Sequence, residues 1–348
     1  MNFENFRRTG ELSDITIIVD KTEFKLHTFP LFTKSGYFKK SLASASPPYI
    51  IRLDNNFPGG AEIFNQLADY LYSLPINIDH KNIVPLRSAA YFIQCDTLAT
   101  LLDKRFDEIL SIARKKYDIG IPLILLEQCT GEYQQWAKQV HIVDRCLECI
   151  VESLARGAGL QLSRSDREII VRLPLEWIIE LIHLCPKESK LAILPFVKHY
   201  ITVHVLEQTS FNDDYQSAFV PIEKKDDLPV TTESEKRTII DEIVRALDET
   251  FEQFPLHWLN SVYEKSIELK CETESILASY IIQVILNSND LNHGLDTIPD
   301  DVMAKLLERM SKHKQKHIKD PQLLSKVRTN ERTSEDKAFF FCLYSYQH

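Results

Sequence analysis

The sequence predicts an α+β domain at the N-terminus followed by a larger all-α domain. Strand-like segments occur only within the first 53 of 348 residues, and from Tyr117 onward the patterns are helical alone. Glycine is scarce, at 9/348 = 2.6% of residues against a usual ~7%. Because glycine serves tight turns, its scarcity favours helices joined by short polar loops.

Residues 1–115 combine the strand and helix patterns of the predicted α+β domain. Residues 14–19 are a β-branched run and residues 23–27 alternate between apolar and polar side chains, so Asp20 and Lys21 predict the turn of a hairpin. Residues 49–53, which follow Pro47 and Pro48, predict a third strand. Helices are expected near residues 31–32 and over 35–42, 61–73, 81–93 and 96–113, with the clearest apolar face formed by Ile63, Phe64, Leu67 and Leu71.

Beyond residue 115 the chain carries helical patterns interrupted by one polar segment. In the first helical half, residues 116–207, helices are expected over 131–155, 163–173, 175–184 and 187–206. Residues 208–235 are too polar and acidic to form a core and predict a solvated linker. Thr232 and Glu235 form a capping-box pattern, which predicts a helix over 234–254 at the start of the second half, residues 236–348.

A short pattern recurs in the helical part. Residues 173–178 (LPLEWI) return as residues 254–259 (FPLHWL) and more loosely as residues 298–303 (IPDDVM). Each places proline at the start of a helix, where its missing N–H costs nothing, and an apolar stripe follows. The pattern is consistent with stacked helical units and equally with the common chemistry of helix starts.

Charge and cysteine content narrow the function classes. The net charge of −9 argues against a body that grips nucleic acid, although the basic segment between Lys305 and Arg328 leaves a local role open. Seven scattered cysteines predict reduced thiols and a location in the cytoplasm, with the nucleus as the alternative. We expect no secretory signal and no transmembrane segment.

No pattern predicts catalysis. Cys146 and Cys149 lie near His141, but a structural zinc site needs four ligands, so buried thiols on one helix face are expected instead. His313 and His317 have ligand spacing on a predicted helix but lack the glutamate of zinc proteases. The sequence also lacks the glycine-rich phosphate-binding motifs and the serine-nucleophile motif. We therefore expect a protein that is not an enzyme and that needs no cofactor or metal.

Several segments resemble a known family. Residues 11–19 (ELSDITIIV) and 24–27 (FKLH) resemble the opening of a BTB/POZ domain, and residues 57–64 (FPGGAEIF) are a second mark of it. Residues 26–36 narrow the resemblance to the plant phototropism-adaptor family of the nonphototropic-hypocotyl type. The resemblance continues, in order, through residues 142–150, 173–182, 236–244 and 330–332, and places residues 116–207 where other BTB proteins have a BACK domain.

The resemblance implies a substrate-specific adaptor of a cullin-3 ubiquitin ligase. The BTB domain would form a homodimer and dock the cullin-3-type scaffold, and the helical domain would hold an unknown protein client. A BTB-dimerised signalling scaffold that does not bind cullin is the alternative. Two further classes of function are an enzyme and a nucleic-acid-binding protein.

The residues expected at these interfaces fall into two sets. The dimer edge comprises Phe3, Phe6, Leu12 and Asp14, and the cullin-facing surface comprises Leu42, Ser44, Pro47, Tyr49 and Tyr117, extended by residues 117–135. Each of these residues is equally consistent with packing in the local core.

Two positions depart from the family pattern. Many cullin-binding BTB domains carry an apolar-x-acidic motif in the loop that here runs from Leu42 to Pro47, and this loop contains no acid. Thr28 stands where many BTB domains place a basic partner for the residue at Asp14. The second departure leaves the usual charged dimer pocket incomplete.

Overall fold

The computed structural model describes residues 3–44, 46–53, 57–156, 162–208 and 231–287. The chain divides into two compact units, Met1–Pro195 and Phe196–His348. The first unit contains a three-stranded sheet with helices, and the described part of the second is helical. The predicted fold class, an α+β N-terminal domain followed by an all-α region, is confirmed.

The sheet contains β1 (Ile15–Val19), β2 (Thr22–Leu26) and β3 (Tyr49–Leu53) in the order β2-β1-β3. β2 pairs antiparallel with β1, and β3 pairs parallel with it on the other side. In the turn between β1 and β2, Asp20 adopts a left-handed φ of 55°. All three predicted strands are therefore confirmed.

Six helices accompany the sheet in the described part of residues 3–116. Five of them correspond to predicted helices, whereas the first was not predicted from the sequence. The predicted apolar face of the fourth helix is buried, which confirms its orientation toward the core. The helices are α1 (Phe3–Thr9), α2 (Thr28–Lys34), α3 (Gly36–Ala43), α4 (Gly60–Leu71), α5 (Ile83–Phe92) and α6 (Asp96–Lys116).

Ser35 ties α3 to the rest of this domain. Its hydroxyl oxygen accepts the N–H of Phe38 at 3.2 Å, which caps the first turn of α3, and donates to the carbonyl of Ile93 at 2.6 Å. Because Ser35 is buried, both hydrogen bonds are shielded from water. The start of α3 is thereby fixed to the end of α5.

The first helical region differs from the prediction in three places, one of which is a helix over Gly120–Gln128 that was not predicted. It contains α7 (Gly120–Gln128), α8 (Gln134–Gln139), α9 (Ile142–Ala155), α10 (Arg164–Arg172) and α11 (Leu175–Leu184), with 3-10 turns at Gly131–Tyr133 and Lys187–Ile193. The single helix predicted over 131–155 is wrong, because His141 adopts a φ of 55° between α8 and α9. Val140 and Ile142 are both buried, and residues two apart cannot share one helix face.

The helix predicted over 187–206 is also wrong in its first third. The α-helical part, α12 (Leu194–His204), starts one residue before Pro195. Proline fits the first turn of a helix but interrupts its interior, so the regular helix begins there.

In the second unit, α12 is followed by α13 (Glu233–Leu247), α14 (Leu256–Glu268) and α15 (Glu274–Asn287). The predicted helix over 234–254 ends at Leu247 and is continued by a 3-10 turn. The Nε1 of Trp258 donates to the Thr202 hydroxyl at 2.9 Å, which joins α14 to α12. Buried Asp241 accepts the N–H and the hydroxyl of Thr273 at 2.9 and 2.7 Å, which fixes the start of α15 against α13.

The recurring proline pattern marks two helix starts. Pro174 immediately precedes α11 and Pro255 immediately precedes α14. Trp177 and Trp258, at equivalent positions of the two patterns, are both buried. The predicted helix-start role of these prolines is confirmed, and the third copy at 298–303 lies outside the described residues.

Most of the predicted linker, the basic segment between Lys305 and Arg328, His313 and His317 also lie outside the described residues. Among the helices that the structure does describe, none combines the length and the apolar character needed to cross a bilayer.

We expect Thr232→Ala to lower the free energy of unfolding by ~1 kcal/mol, because Thr232 and Glu235 form the predicted capping box of α13. The Thr232 hydroxyl accepts the N–H of Glu235 at 3.3 Å, and the Glu235 carboxylate accepts the N–H of Thr232 at 2.8 Å. Chemical denaturation measures the change, and Thr232→Ser, which keeps the hydroxyl, serves as the control.

The N–H and the hydroxyl of Thr232 both donate to the Glu235 carboxylate at 2.8 Å, and these two hydrogen bonds hold the pKa of Glu235 below its usual value. The contribution of its carboxylate is therefore present above the unfolded-state pKa and is lost as the pH falls through the lowered one. Equal stability of the alanine and serine variants at neutral pH would contradict the capping role.

Candidate functional site

The N-terminal domain exposes large apolar side chains that its own core does not use. Leu12 is 78% exposed, Phe29 is 71% exposed and Ile50 is 58% exposed. Single exposed apolar residues are ordinary, whereas neighbouring ones indicate an interaction surface.

The first surface lies on α2 and is called here the Phe29 surface (Phe29 and Phe32). Phe29 and Phe32 are three residues apart and so share one face of the helix, while Pro30 and Leu31 are buried. Sequence reasoning missed both phenylalanines. The available signal was the helical spacing of two aromatic residues around a buried leucine.

Asp14 connects this surface to the start of α2. Its Oδ1 accepts the N–H of Thr28 and its Oδ2 accepts the Thr28 hydroxyl, both at 2.7 Å. The carboxylate thereby satisfies a backbone donor of the first helical turn. Thr28, which stands in the position of the usual basic partner, is thus the hydrogen-bond partner of Asp14 in this chain.

His27, which directly precedes α2, forms further hydrogen bonds at the start of this helix. Its Nε2 lies 2.9 Å from the carbonyl oxygen of Glu11, which can only accept, so Nε2 carries the proton. Its Nδ1 then accepts the Tyr72 hydroxyl at 2.7 Å, and its backbone N–H donates to the same oxygen at 2.8 Å. Burial raises the pKa of Tyr72, so this hydroxyl keeps its proton at neutral pH.

The predicted dimer edge is only partly an exposed surface. Phe6 is half-buried, with its ring 6.0 Å from that of His27. Its neighbour Arg7 is buried and pairs with Asp69 of α4 at 3.1 Å, so α1 is fastened to the domain. Leu12 is exposed, whereas the side chain of Phe3 lies outside what the structure describes. The dimer role of these residues stays a prediction.

Four of the five predicted cullin-facing residues lie in the segment from the end of α3 to the start of β3. Leu42 and Tyr49 are half-buried, and Ser44 and Pro47 are exposed. Tyr117 lies at the C-terminal end of α6, where it is 49% exposed and adopts a φ of 53°. Its ring lies 5.9 Å from the Arg156 guanidinium. The role of these five residues also stays a prediction.

A second aromatic surface joins α3 and α5 to α8 and is called here the Trp136 surface (Tyr37, Tyr91, Phe92 and Trp136). The Phe92 ring lies 5.5 Å from that of Tyr37 and 5.8 Å from that of Trp136. Tyr91 is 44% exposed, and its ring lies 5.9 Å from that of Trp136. Sequence reasoning missed this surface because its members come from three separate elements.

The charged side chains nearby stabilise helix packing. Asp103 of α6 accepts two hydrogen bonds from the Arg87 guanidinium of α5, both at 3.0 Å. Arg145 of α9 also pairs with Asp103 at 3.4 Å and stacks over the Phe106 ring at 4.5 Å. These arginines are occupied by structural partners, so the cluster explains the packing of α5, α6 and α9.

The predicted burial of the thiols in α9 is confirmed. Cys146 and Cys149 are both 0% exposed. Burial raises the pKa of Cys149 to about 11 and raises the pKa of Cys146 as well. Thiols in this state are poor nucleophiles and poor metal ligands. Within the described residues, no three or more His, Cys, Asp or Glu side chains are grouped so as to hold a metal ion.

Comparison with known proteins agrees with this organisation. Residues 3–110 match the BTB/POZ domain family. The chain is 29% identical over 257 residues to BTB/POZ domain-containing protein At5g48130 of Arabidopsis thaliana, 33% identical over 161 residues to At1g67900 and 34% identical over 84 residues to BTB/POZ domain-containing protein DOT3 of the same plant. These matches cover 70%, 44% and 23% of this chain.

The fold and its exposed apolar surfaces define a protein-interaction module. The chain carries an N-terminal BTB/POZ domain and is related to plant BTB/POZ domain proteins. The 257 aligned residues exceed the 108 residues of the domain match, so the similarity reaches into the helical region. The chain spans 39%, 24% and 14% of the lengths of these three relatives.

Cys149 is expected to resist alkylation while the protein is folded. At pH 8 a thiol with a pKa of about 11 is almost fully protonated, so iodoacetamide should react on the order of a hundredfold more slowly than with an ordinary cysteine. Peptide mass spectrometry measures the modified fraction, with guanidinium-unfolded protein as the control. Equal rates in the two states would contradict the buried, protonated thiol.

Proposed function

We propose that this protein is a non-catalytic, substrate-specific adaptor of a cullin-3-type ubiquitin ligase. In this proposal the BTB/POZ domain forms a homodimer and docks the cullin, while the helical region binds a protein client. The observation that carries the proposal is the BTB/POZ match over residues 3–110, which is followed by a helical region. Segments of that region resemble the nonphototropic-hypocotyl family in sequence.

The Phe29 surface supports self-association. A two-fold interface buries the same patch on both subunits, so one exposed apolar helix face can meet its own copy. Phe29, at 71% exposed, offers a large apolar side chain to this interface, and aromatic residues are enriched among those that dominate interface energetics. Asp14 holds the helix that carries it through the two hydrogen bonds to Thr28.

The segment from Leu42 to Tyr49, together with the Trp136 surface, supports cullin docking. Trp136 belongs to α8, beyond the domain match, and contacts Tyr91 and Phe92 of α5. A partner that binds the Trp136 surface would therefore contact both the BTB domain and the first helical region. Tyr91 is exposed and Trp136 is half-buried, and tyrosine and tryptophan are residue types enriched in interface hot spots.

One observation favours the alternative, a BTB-dimerised signalling scaffold that does not bind cullin. The loop between Leu42 and Pro47 contains no acidic residue. Many cullin-binding BTB domains carry an apolar-x-acidic motif in this loop. Both proposals include the homodimer, and they differ in whether the dimer binds a cullin.

The remaining parts of the proposal concern partners and location. The thiols support a reducing compartment, so we place the protein in the cytoplasm, with the nucleus as the alternative. The net charge of −9 supports protein partners over nucleic acid. The client remains to be identified by affinity capture with the full chain.

Phe29→Asp is expected to convert a dimer into a monomer, because a buried, unpaired carboxylate would face its own copy across the two-fold axis. Sedimentation equilibrium measures the mass. Leu191→Asp is the matched control, since Leu191 is 58% exposed in the 3-10 turn that precedes α12. A variant that remains dimeric would remove the Phe29 surface from the interface.

Calorimetry with the N-terminal domain of a cullin-3-type scaffold is expected to give micromolar or tighter binding. Tyr91→Ala should weaken this binding at least tenfold by removing an exposed ring of the Trp136 surface. Ile112→Ala is the matched control, because Ile112 of α6 is 47% exposed and Tyr91 is 44% exposed. A dimeric protein with no detectable cullin binding would contradict the adaptor proposal and support the signalling scaffold that does not bind cullin.

A further inference from the structure

Ser46 occupies an accessible position between α3 and β3. It is exposed, as are Ser44 and Pro47 on either side, and its backbone belongs to neither helix nor strand. Pro47 restricts the residue before it to extended conformations. Ser46 is thus presented in the extended form in which a kinase cleft binds its acceptor segment.

The sequence makes this serine distinct. Of the 15 prolines, Pro47 is the only one that directly follows a serine or threonine. Ser46 is therefore the single acceptor in the chain for a kinase that requires proline at the next position. A site that is unique in the sequence and exposed in the fold is specific enough to test.

A phosphate on Ser46 would introduce negative charge into a segment that carries only positive charge. Between Tyr37 and Leu53 the charged side chains are Lys39, Lys40 and Arg52, a local charge of +3 with no acid. A phosphoserine adds about −1.5 to −2 at neutral pH. Lys40 donates to Gln94 at 2.9 Å and Lys39 lies 5.7 Å from the Phe32 ring centre, so both lysines have other contacts. A phosphate on Ser46 would thus be available to a partner.

We propose that Ser46 is phosphorylated by a proline-directed kinase and that this phosphate supplies the acidic group that the loop lacks for binding the cullin-type scaffold. The inference rests on the proposed function. The Ser46 hydroxyl oxygen attacks the γ-phosphorus of ATP, and a new O–P bond forms as the bond to the β–γ bridging oxygen breaks. ADP leaves, and the hydroxyl proton passes to the base of the kinase.

Ser44 is a less suitable acceptor. Its hydroxyl donates to the carbonyls of Lys40 and Ser41 at 3.3 and 3.1 Å, at the C-terminal end of α3. A phosphate there would lose these hydrogen bonds and would face the negative end of the helix dipole. Ser46 lies two residues beyond Ser44, past the end of α3, so a phosphate there avoids both the loss of these hydrogen bonds and the helix dipole.

The first test is phosphorylation of the full chain by a proline-directed kinase with magnesium and ATP, read by peptide mass spectrometry. The expected result is one phosphate on Ser46, which is lost in Ser46→Ala and in Pro47→Ala and retained in Ser44→Ala. No modification of Ser46, or modification that survives Pro47→Ala, would overturn the inference whatever the unmodified chain binds.

The second test compares phosphorylated and unmodified protein in calorimetry with the N-terminal domain of a cullin-3-type scaffold. We expect binding at least tenfold tighter after phosphorylation, a partial gain for Ser46→Glu and no gain for its uncharged control, Ser46→Gln. Equal affinity of the two forms would overturn the inference and still support the adaptor function. Absence of binding by both forms, with Ser46 phosphorylated, would overturn the adaptor function and the role of the phosphate together.

Discussion

The packing of the wholly buried Phe64 ring holds the sheet and the helices of the N-terminal domain together. Phe64 lies on α4, and its ring centre is 4.9 Å from that of Phe24 in β2, 5.6 Å from that of Phe57 and 6.5 Å from that of Phe38 in α3. Such ring pairs contribute about 0.5–1.5 kcal/mol each beyond area burial. Because α2 lies between β2 and α3 in the chain, this packing also fixes the helix that carries Phe29.

Local sequence signals were sufficient for the parts of the fold that depend on neighbouring residues. The hairpin around Asp20, the apolar face of α4 and the capping box at Thr232 all follow from spacing within a few positions. The break at His141 could not be predicted in this way, because apolar periodicity is compatible with a continuous helix. It is decided by the burial of both Val140 and Ile142, which is tertiary.

Glycine is scarce in this chain, and residues other than glycine occupy many of the left-handed backbone positions. In the described part of the chain, nine residues other than glycine have a positive φ, several of them at helix ends. Each costs about 1–2 kcal/mol relative to right-handed backbone, so the surrounding packing must compensate. Tyr117 closes α6 in this conformation and Gln94 follows α5. The scarcity of glycine therefore predicted the helices correctly, but it did not predict that residues other than glycine would adopt a positive φ at their ends.

The candidate surfaces were harder to predict than the fold because their residues are defined by what the core leaves out. Asp14, whose place at a dimer edge stays a prediction, accepts two hydrogen bonds from Thr28 at the start of α2. That capping function explains why an exposed aspartate and an exposed phenylalanine occur together: the first orients the helix that presents the second. An enzyme must gather polar groups in a concave site, whereas an interaction module needs a rigid apolar face. A seven-residue helix is too short to be stable alone, so its capping and its packing on α3 and α4 serve to present that face.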